Sequence, residues 1–329
     1  MKKIIIDIFG ADAGQEVILL GAAAALKQDP ELHLLLVGKQ EEILPVMTRE
    51  EISPERYTLC HAADVIGAEE PPSCVFRGRE QSSLVMALRL LKENPDCLAL
   101  LSPGSTGALL VGSIVHLGLL PGLKQPALCS ALPCSGRELL CLVDCGANMD
   151  TRPKDLARFA LMGDAYMKCL CAMETPRVGL MNVGTEPGKG DERTKEVYQL
   201  LQELPLHFIG NIEGSDMVSD TADVIVADGF VGNVLLKNTE AVGKAALALV
   251  EAQIKLAPSE ALYALHRELL RRYEFNNRGG ATFLGTKKTV IKMHGCATAQ
   301  TVVACVGQAL RLSDAGFIGK LQEALQNEA

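Results

Sequence analysis

The stretch VGLMNVGTEPGKGDERTKEVYQLLQE, residues 178–203, decides the reading of the chain. Residues 178–184 are a short apolar run, as a strand buried on both faces requires. Gly184-Thr185-Glu186-Pro187-Gly188-Lys189-Gly190 is a glycine-rich turn, and 191–203 reads as a helix. Outward from this unit the same rhythm repeats. Strands are expected at 2–8, 32–38, 97–102, 139–146, 206–211 and 223–229, and helices at 13–27, 39–47, 81–93, 105–118, 153–171 and 231–256. The segment 50–80 reads as irregular. Such alternation predicts an α/β fold, a parallel sheet wrapped by helices. Residues 1–329 read as a single domain. A helical pair at 240–273, broken near Pro258-Ser259, departs from the rhythm and is expected to protrude.

Composition narrows the functions. The chain has 329 residues, 48% hydrophobic and 22% charged, which excludes disorder and coiled coil. Aromatics are 4%, Trp is absent and the net charge is −8, so neither a base-stacking platform nor a phosphate-backbone surface is expected, and no nucleic-acid partner. No apolar segment of signal length follows Met1-Lys2-Lys3, and no run reaches the ~18 apolar residues of a membrane span. Eleven cysteines without framework spacing or a CxxC read as reduced thiols in a cytoplasmic protein, with no metal site and no cofactor expected.

In open α/β sheets ligands bind beyond the carboxyl ends of strands. Five such ends carry loops rich in Gly, Asn, Ser and Thr: Ser102–Gly107, Cys145–Asn148, Gly184–Gly190, Gly210–Gly214 and Asp228–Asn233. Placed on one edge, they would pool backbone and side-chain donors into an anion site. Lys237 follows Asn233 by four residues, so both share one helix face. Familiar nucleotide motifs fail. GTEPGKGD is one residue short of a Walker A loop and has Gly190 where Ser or Thr would bind magnesium. No GxGxxG follows the first strand, and no GxSxG elbow occurs. His294 and Cys296, two apart, read as a loop histidine beside a buried cysteine rather than a nucleophile pair.

The strings VGLMNVGTEPGKGDERTKE, HFIGNIEGSD and ADVIVADGFVGNVLLK resemble the phosphate acyltransferase (PlsX) family of bacterial phospholipid synthesis. LVDCGANMDTRPKDLARFALMGDAYMK and RGGATFLGTKKTVIKMHG resemble it too, and the likeness spans roughly residues 2–310. It implies a Rossmann-like fold of the isopropylmalate dehydrogenase and phosphotransacetylase type. It implies transfer of a long-chain acyl group from acyl carrier protein to inorganic phosphate, by a homodimer that touches the membrane surface. The chain departs from the family at Phe9-Gly10-Ala11-Asp12, where Met-Gly-Gly-Asp is usual. It departs again at Ser105-Thr106-Gly107-Ala108, for Asn-Thr-Gly-Ala, and at His294-Gly295-Cys296-Ala297, for His-Gly-Ser-Ser. Asp12, Ser82, Thr106, Gly107 and His294 persist.

On this reading Ser105, Thr106, Gly107, Asn148, Asn182, Gly184, Thr185, Asn211, Asn233 and Lys237 bind phosphate and acyl group. Lys189 supplies charge, His294 steadies the oxyanion or protonates the leaving thiolate, and Asp228 orients a lysine. An acidic carrier needs a local basic patch. Residues 266–292 hold seven cations against Glu268 and Glu274, and Arg267, Arg271, Arg272, Lys287 and Lys288 are the docking candidates. The apolar stripe of 240–273 suits a dimer face, with a lipid-touching tip near Leu256. The alternatives are an acyl-CoA:phosphate acyltransferase, a non-catalytic membrane or partner scaffold, and a nicotinamide-dependent dehydrogenase on the related fold.

Overall fold

Two groups of parallel strands point in opposite directions, and a short antiparallel section joins them. The computed structural model describes residues 1–76, 78–132, 134, 139–273 and 278–326; Glu274 of the basic run lies outside these. The first half supplies β1 (Lys2–Asp7), α1 (Gln15–Gln28), β2 (Leu32–Gly38), α2 (Gln40–Arg49), β3 (Tyr57–His61), α3 (Ser83–Glu93), β4 (Cys97–Ser102) and α4 (Thr106–Gly112). After β5 (Ala127–Leu132) come β6 (Leu140–Val143), α5 (Pro153–Leu170), β7 (Arg177–Met181), α6 (Glu192–Glu203), β8 (His207–Ile212) and β9 (Val224–Val226). The chain continues with α7 (Gly229–Leu256), α8 (Glu260–Tyr273), β10 (Ala281–Leu284), β11 (Thr289–Lys292), α9 (Ala299–Asp314) and α10 (Phe317–Gln326).

The described residues form one eleven-stranded sheet in the order β3-β2-β1-β4-β11-β10-β5-β6-β9-β7-β8. β3, β2, β1, β4 and β11 are parallel to one another. β10 is antiparallel to β11 and β5, and β5 to β6; β6, β9, β7 and β8 are again parallel. The parallel pairing read from the apolar runs holds within each group and is broken at the junctions β11–β10, β10–β5 and β5–β6. The reason lies in two connections the alternation did not reveal. β10 and β11 are joined by a four-residue turn, Gly285–Lys288, which can only produce an antiparallel pair. β5 then pairs with β10 in the middle of the sheet.

Most strands are buried on both faces. Ile4 and Ile6 of β1 pack under α1 and α9, whereas Ile5 packs with Leu84 and Leu88 of α3. In the second half Cys141, Val143, Val224 and Val226 meet Phe159, Met162 and Tyr166 of α5, while Leu142 and Ile225 face the other side. α7 covers that other side with Leu235 and Leu236 and then runs on for a total of 28 residues. α8 folds back along it, and none of its residues is buried. Among the described residues, no single helix is long and apolar enough to cross a membrane.

Candidate active site

A cavity of about 380 Å³ lies between the middle of the sheet and α7. Thr106, from the loop after β4, and Lys292 and His294, from the end of β11, enter it from one edge of the sheet. Cys145 and Gly146, from the loop after β6, enter from the opposite edge. Both edges can reach one cavity because β6, β10 and β11 have four residues each, roughly 13 Å of strand. Asn233, Leu236, Lys237 and Glu240 of α7 close it from above, and Leu128, Ala131 and Ala281 form an apolar floor.

Each wall is fixed by local chemistry. On the β4 side, Ser102 Oγ donates to buried Asp7 Oδ2 (2.8 Å) and accepts from Gly104 N–H (3.0 Å). Burial pushes the Asp7 carboxyl up to about 6, against the hydrogen bonds from Ser83 and Ser102. On the β6 side, buried Asp144 accepts from the N–H groups of Leu128, Gly146, Ala147 and Asn148 at 2.7–3.1 Å. The first turn of α7 rests on this loop through Gly232, where a Cβ would come within 1.9 Å of Asp144 O; no larger residue fits. Asn233 Nδ2 then donates to Cys145 O (3.3 Å).

Lys237, Glu240 and His294 form one linked set in the cavity. Lys237 Nζ donates to Glu240 Oε2 (2.9 Å), and His294 Nε2 lies 3.6 Å from Glu240 Oε1. Burial opposes the Glu240 charge, but His294 and Lys237 outweigh it and hold the carboxyl below its ordinary value. His294 Nδ1 accepts from Cys296 N–H (3.3 Å) and lies 3.0 Å from Cys296 Sγ. An Nδ1 that accepts assigns the proton of the neutral ring to Nε2, facing Glu240. Lys292 Nζ donates to the carbonyls of Pro103 (3.0 Å) and Met293. Burial lowers it to about 8, with the charges of Asp12 and Asp7 pulling the other way, so it remains mostly a cation at neutral pH. Two lysines, an oriented histidine and an apolar floor can hold an anion beside an acyl chain.

The structure gathers Thr106, Asn233, Lys237 and His294 of the expected residues into this cavity and places the rest elsewhere. Ser105 caps α4, and Gly107 lets the helix approach Pro72, whose Cγ would lie 2.6 Å from an added Cβ. Asn148 braces its own loop, donating to Pro126 O and Asp144 Oδ2 (2.8 Å each). Asn182 and Asn211 donate to the carbonyls of Lys189 (3.1 Å) and Glu186 (2.8 Å), pinning the 184–190 loop. Gly184 is buried there, whereas Thr185 and Lys189 are exposed, with Lys189 Nζ 3.7 Å from Glu186 Oε1. The single-edge expectation is thus corrected: β7 and β8 run opposite to β4 and stand beyond β6 and β9 in the sheet, so their loops lie away from the cavity. Asp228 pairs with no lysine. It caps α7 by accepting from Val231 N–H (2.9 Å), and Arg193 donates to its other oxygen (2.5 Å).

Asn182 and Asp228 instead line a second cavity of about 420 Å³ with Leu180, Val183, Arg193 and Val231. The basic set also divides. Arg267 pairs with Glu260, and Arg271 and Arg272 both pair with Glu268, whose carboxyl they hold at about 2. Lys287 and Lys288 sit at the far end of the β10–β11 hairpin, where Lys288 donates to Pro95 O (3.3 Å). Lys292 and Glu240 were not among the expected site residues. Glu240 is visible as the third residue after Lys237 on the same helix face. Lys292 carries no such signal, because it closes a run of charges that includes Lys287 and Lys288.

Fold and cavity together define an α/β enzyme of the phosphotransacetylase fold. The chain superposes on a phosphotransacetylase from Streptococcus pyogenes with TM-score 0.63 and 16% identity, covering 95% of this chain and 94% of that one. A branched-chain phosphotransacylase from Enterococcus faecalis gives TM-score 0.60 and 15% identity over 94% and 98%. In sequence it is 36% identical over 331 residues to a phosphate acyltransferase of Bacillus cytotoxicus and 35% identical over 332 residues to one of Bacillus cereus, covering 99% of both chains in each case. A family model described as fatty acid synthesis protein matches residues 2–320, and the chain belongs to that family.

Proposed function

We propose that the chain is the enzyme that moves a long-chain acyl group from acyl carrier protein to inorganic phosphate and releases acyl phosphate. Family membership and the phosphate acyltransferase relatives support acyl transfer to phosphate. The observation that carries the reading is the convergence of Lys237, Lys292, His294 and Thr106 over the apolar floor of Leu128, Ala131 and Ala281. Phosphate is seated by the two ammonium groups, Thr106 and Asn233. Lys292 also faces the charge that develops on the thioester oxygen, where a fixed donor is worth about 3 kcal/mol. His294, oriented by Glu240, carries a proton to the departing thiolate. The bond formed is carbonyl carbon to phosphate oxygen; the bond broken is carbonyl carbon to sulfur.

Acyl-CoA is the alternative donor, with the same chemistry. The exposed apolar side chains Val242, Leu249, Tyr263 and Leu265 suit a second copy of the chain, and Leu256, 78% exposed, suits a membrane surface on the cytoplasmic side. The deciding assay incubates purified protein with phosphate and either palmitoyl-carrier protein or palmitoyl-CoA and traps acyl phosphate with hydroxylamine. Product from the carrier-linked donor at the higher kcat/KM is expected. Product from neither overturns the reading.

A further inference from the structure

The turn 294–297 brings three groups into line. Ala297 N–H donates to His294 O (3.0 Å), and this tight turn folds the Cys296 thiol back against the imidazole of His294. Cys296 Sγ lies 3.0 Å from Nδ1, within the reach of a nucleophile and its base. On the far side of the same ring, Nε2 faces the buried carboxylate of Glu240 at 3.6 Å. The thiol is reduced and half-buried, and the neighbouring His294 and Gly295 line the 380 Å³ cavity. Thiol, base and orienting carboxylate thus follow the nucleophile–base–third-group logic that recurs on unrelated folds. Glu240 in turn is held by Lys237 on the same helix (2.9 Å).

We propose that Cys296 is a covalent acyl acceptor, through which the acyl group passes on its way to phosphate. The proposal deepens the reading above and rests on its thioester donor. His294 Nδ1 takes the thiol proton, and the thiolate attacks the donor carbonyl. The tetrahedral adduct collapses, the carbonyl–sulfur bond to the donor breaks, and the donor thiolate receives the proton from His294. The acyl group now sits on Cys296 as a thioester. A phosphate oxygen of hydrogen phosphate, held by Lys237 and Lys292, attacks that carbonyl, the bond from carbonyl carbon to Cys296 sulfur breaks, and the proton of the hydrogen phosphate passes through His294 to the leaving thiolate. The sum is one thioester and one phosphate converted to one acyl phosphate and one thiol, with no redox change. Glu240 is a positioning residue, because it keeps the ring in the tautomer that can accept at Nδ1.

The test uses the full chain and palmitoyl-CoA or palmitoyl-carrier protein without phosphate, quenched in acid and weighed intact. The protein is expected to gain one palmitoyl group on Cys296 that neutral hydroxylamine releases and that added phosphate discharges at least as fast as kcat. Exchange of labelled CoA into palmitoyl-CoA without phosphate is expected as well. Cys296→Ala is expected to lose label and exchange and at least tenfold in acyl phosphate formation. Glu240→Gln is expected to slow labelling at least fivefold while leaving the half-saturating concentration of the acyl donor unchanged. Cys296→Ser, the smallest change, controls for folding and is expected to lose the hydroxylamine-labile label. Acyl phosphate made at the full rate without label, or by Cys296→Ala, overturns the proposal and leaves the function standing. A label that discharges more slowly than kcat overturns it also. Neither label nor acyl phosphate with either donor overturns both.

Discussion

The loops Ser102–Gly107 and Gly184–Gly190 look alike as sequence and differ as sites. Both follow a buried strand, both are rich in glycine, and both carry a hydroxyl residue. The first is anchored to Asp7 through Ser102, is touched by Lys292 at Pro103 O, and presents Thr106 to the central cavity. The second is anchored by Asn182 and Asn211 through its own carbonyls, and its Thr185 and Lys189 point to solvent. What separates them is strand direction and place in the sheet together. β4 and β7 are antiparallel, and β7 stands beyond β6 and β9, so at that edge it is the loop after β6 and the start of α7 that reach the cavity. Hydrogen-bond donors in strand-end loops therefore make a site only where the topology aims them at the same volume.

The largest effect should fall on the first loop's partner. Lys292→Met removes the buried cation from the cavity and should lower kcat/KM for phosphate about 100-fold, the scale of one fixed donor at a developing charge. Initial rates over a phosphate series measure it, with circular dichroism as the folding control. A loss under threefold would mean that the cavity does not hold the phosphate. Next comes Lys189→Ala. Because Lys189 is exposed and stands outside the central cavity, KM for phosphate and kcat should change less than about threefold. A raised phosphate KM would bring the 184–190 loop into the same site and erase the contrast.

The pH profile separates the two lysines further. Lys292 has its proton loosened by burial to about 8, so kcat/KM for phosphate should fall severalfold as pH rises through 8 and the cation is lost. Lys292→Arg stays charged and should carry that limb upward in pH. Should the limb stay where it is in the arginine variant, another group controls it.

How much of this could be read in the sequence depended on length and direction. KKIIIDI and DVIVADG were legible as strands because their apolar runs are unbroken. TVIK and ATFL, four residues each, are too short to distinguish from loop, and β3 hid within a stretch of turns. Losing the β10–β11 hairpin also lost the reversal of the sheet, and with it the knowledge of which loops face one another. Thr106, Asn233, Lys237 and His294 were legible as donors at strand ends or on a shared helix face. Lys292 was not, because in a chain of charges from 266 to 292 a buried lysine reads the same as an exposed one. Burial is a property of the pairing, which local pattern does not carry.

The smallest effect concerns Asp228, which lines the second cavity and was expected to serve catalysis. Its two oxygens are committed to Val231 N–H and Arg193, so it holds the start of α7 against α6. Asp228→Asn keeps a capping oxygen and loses the charge that meets Arg193, whereas Asp228→Ala loses both. The asparagine variant should retain kcat within about twofold, since Asn and Asp cap equally well, and the alanine variant should cost about 1 kcal/mol of stability, the worth of a helix cap. Thermal unfolding and kcat measured on the same preparations decide it. A collapse of kcat in Asp228→Asn with an unchanged melting temperature would return Asp228 to the chemistry and join the two cavities into a single site.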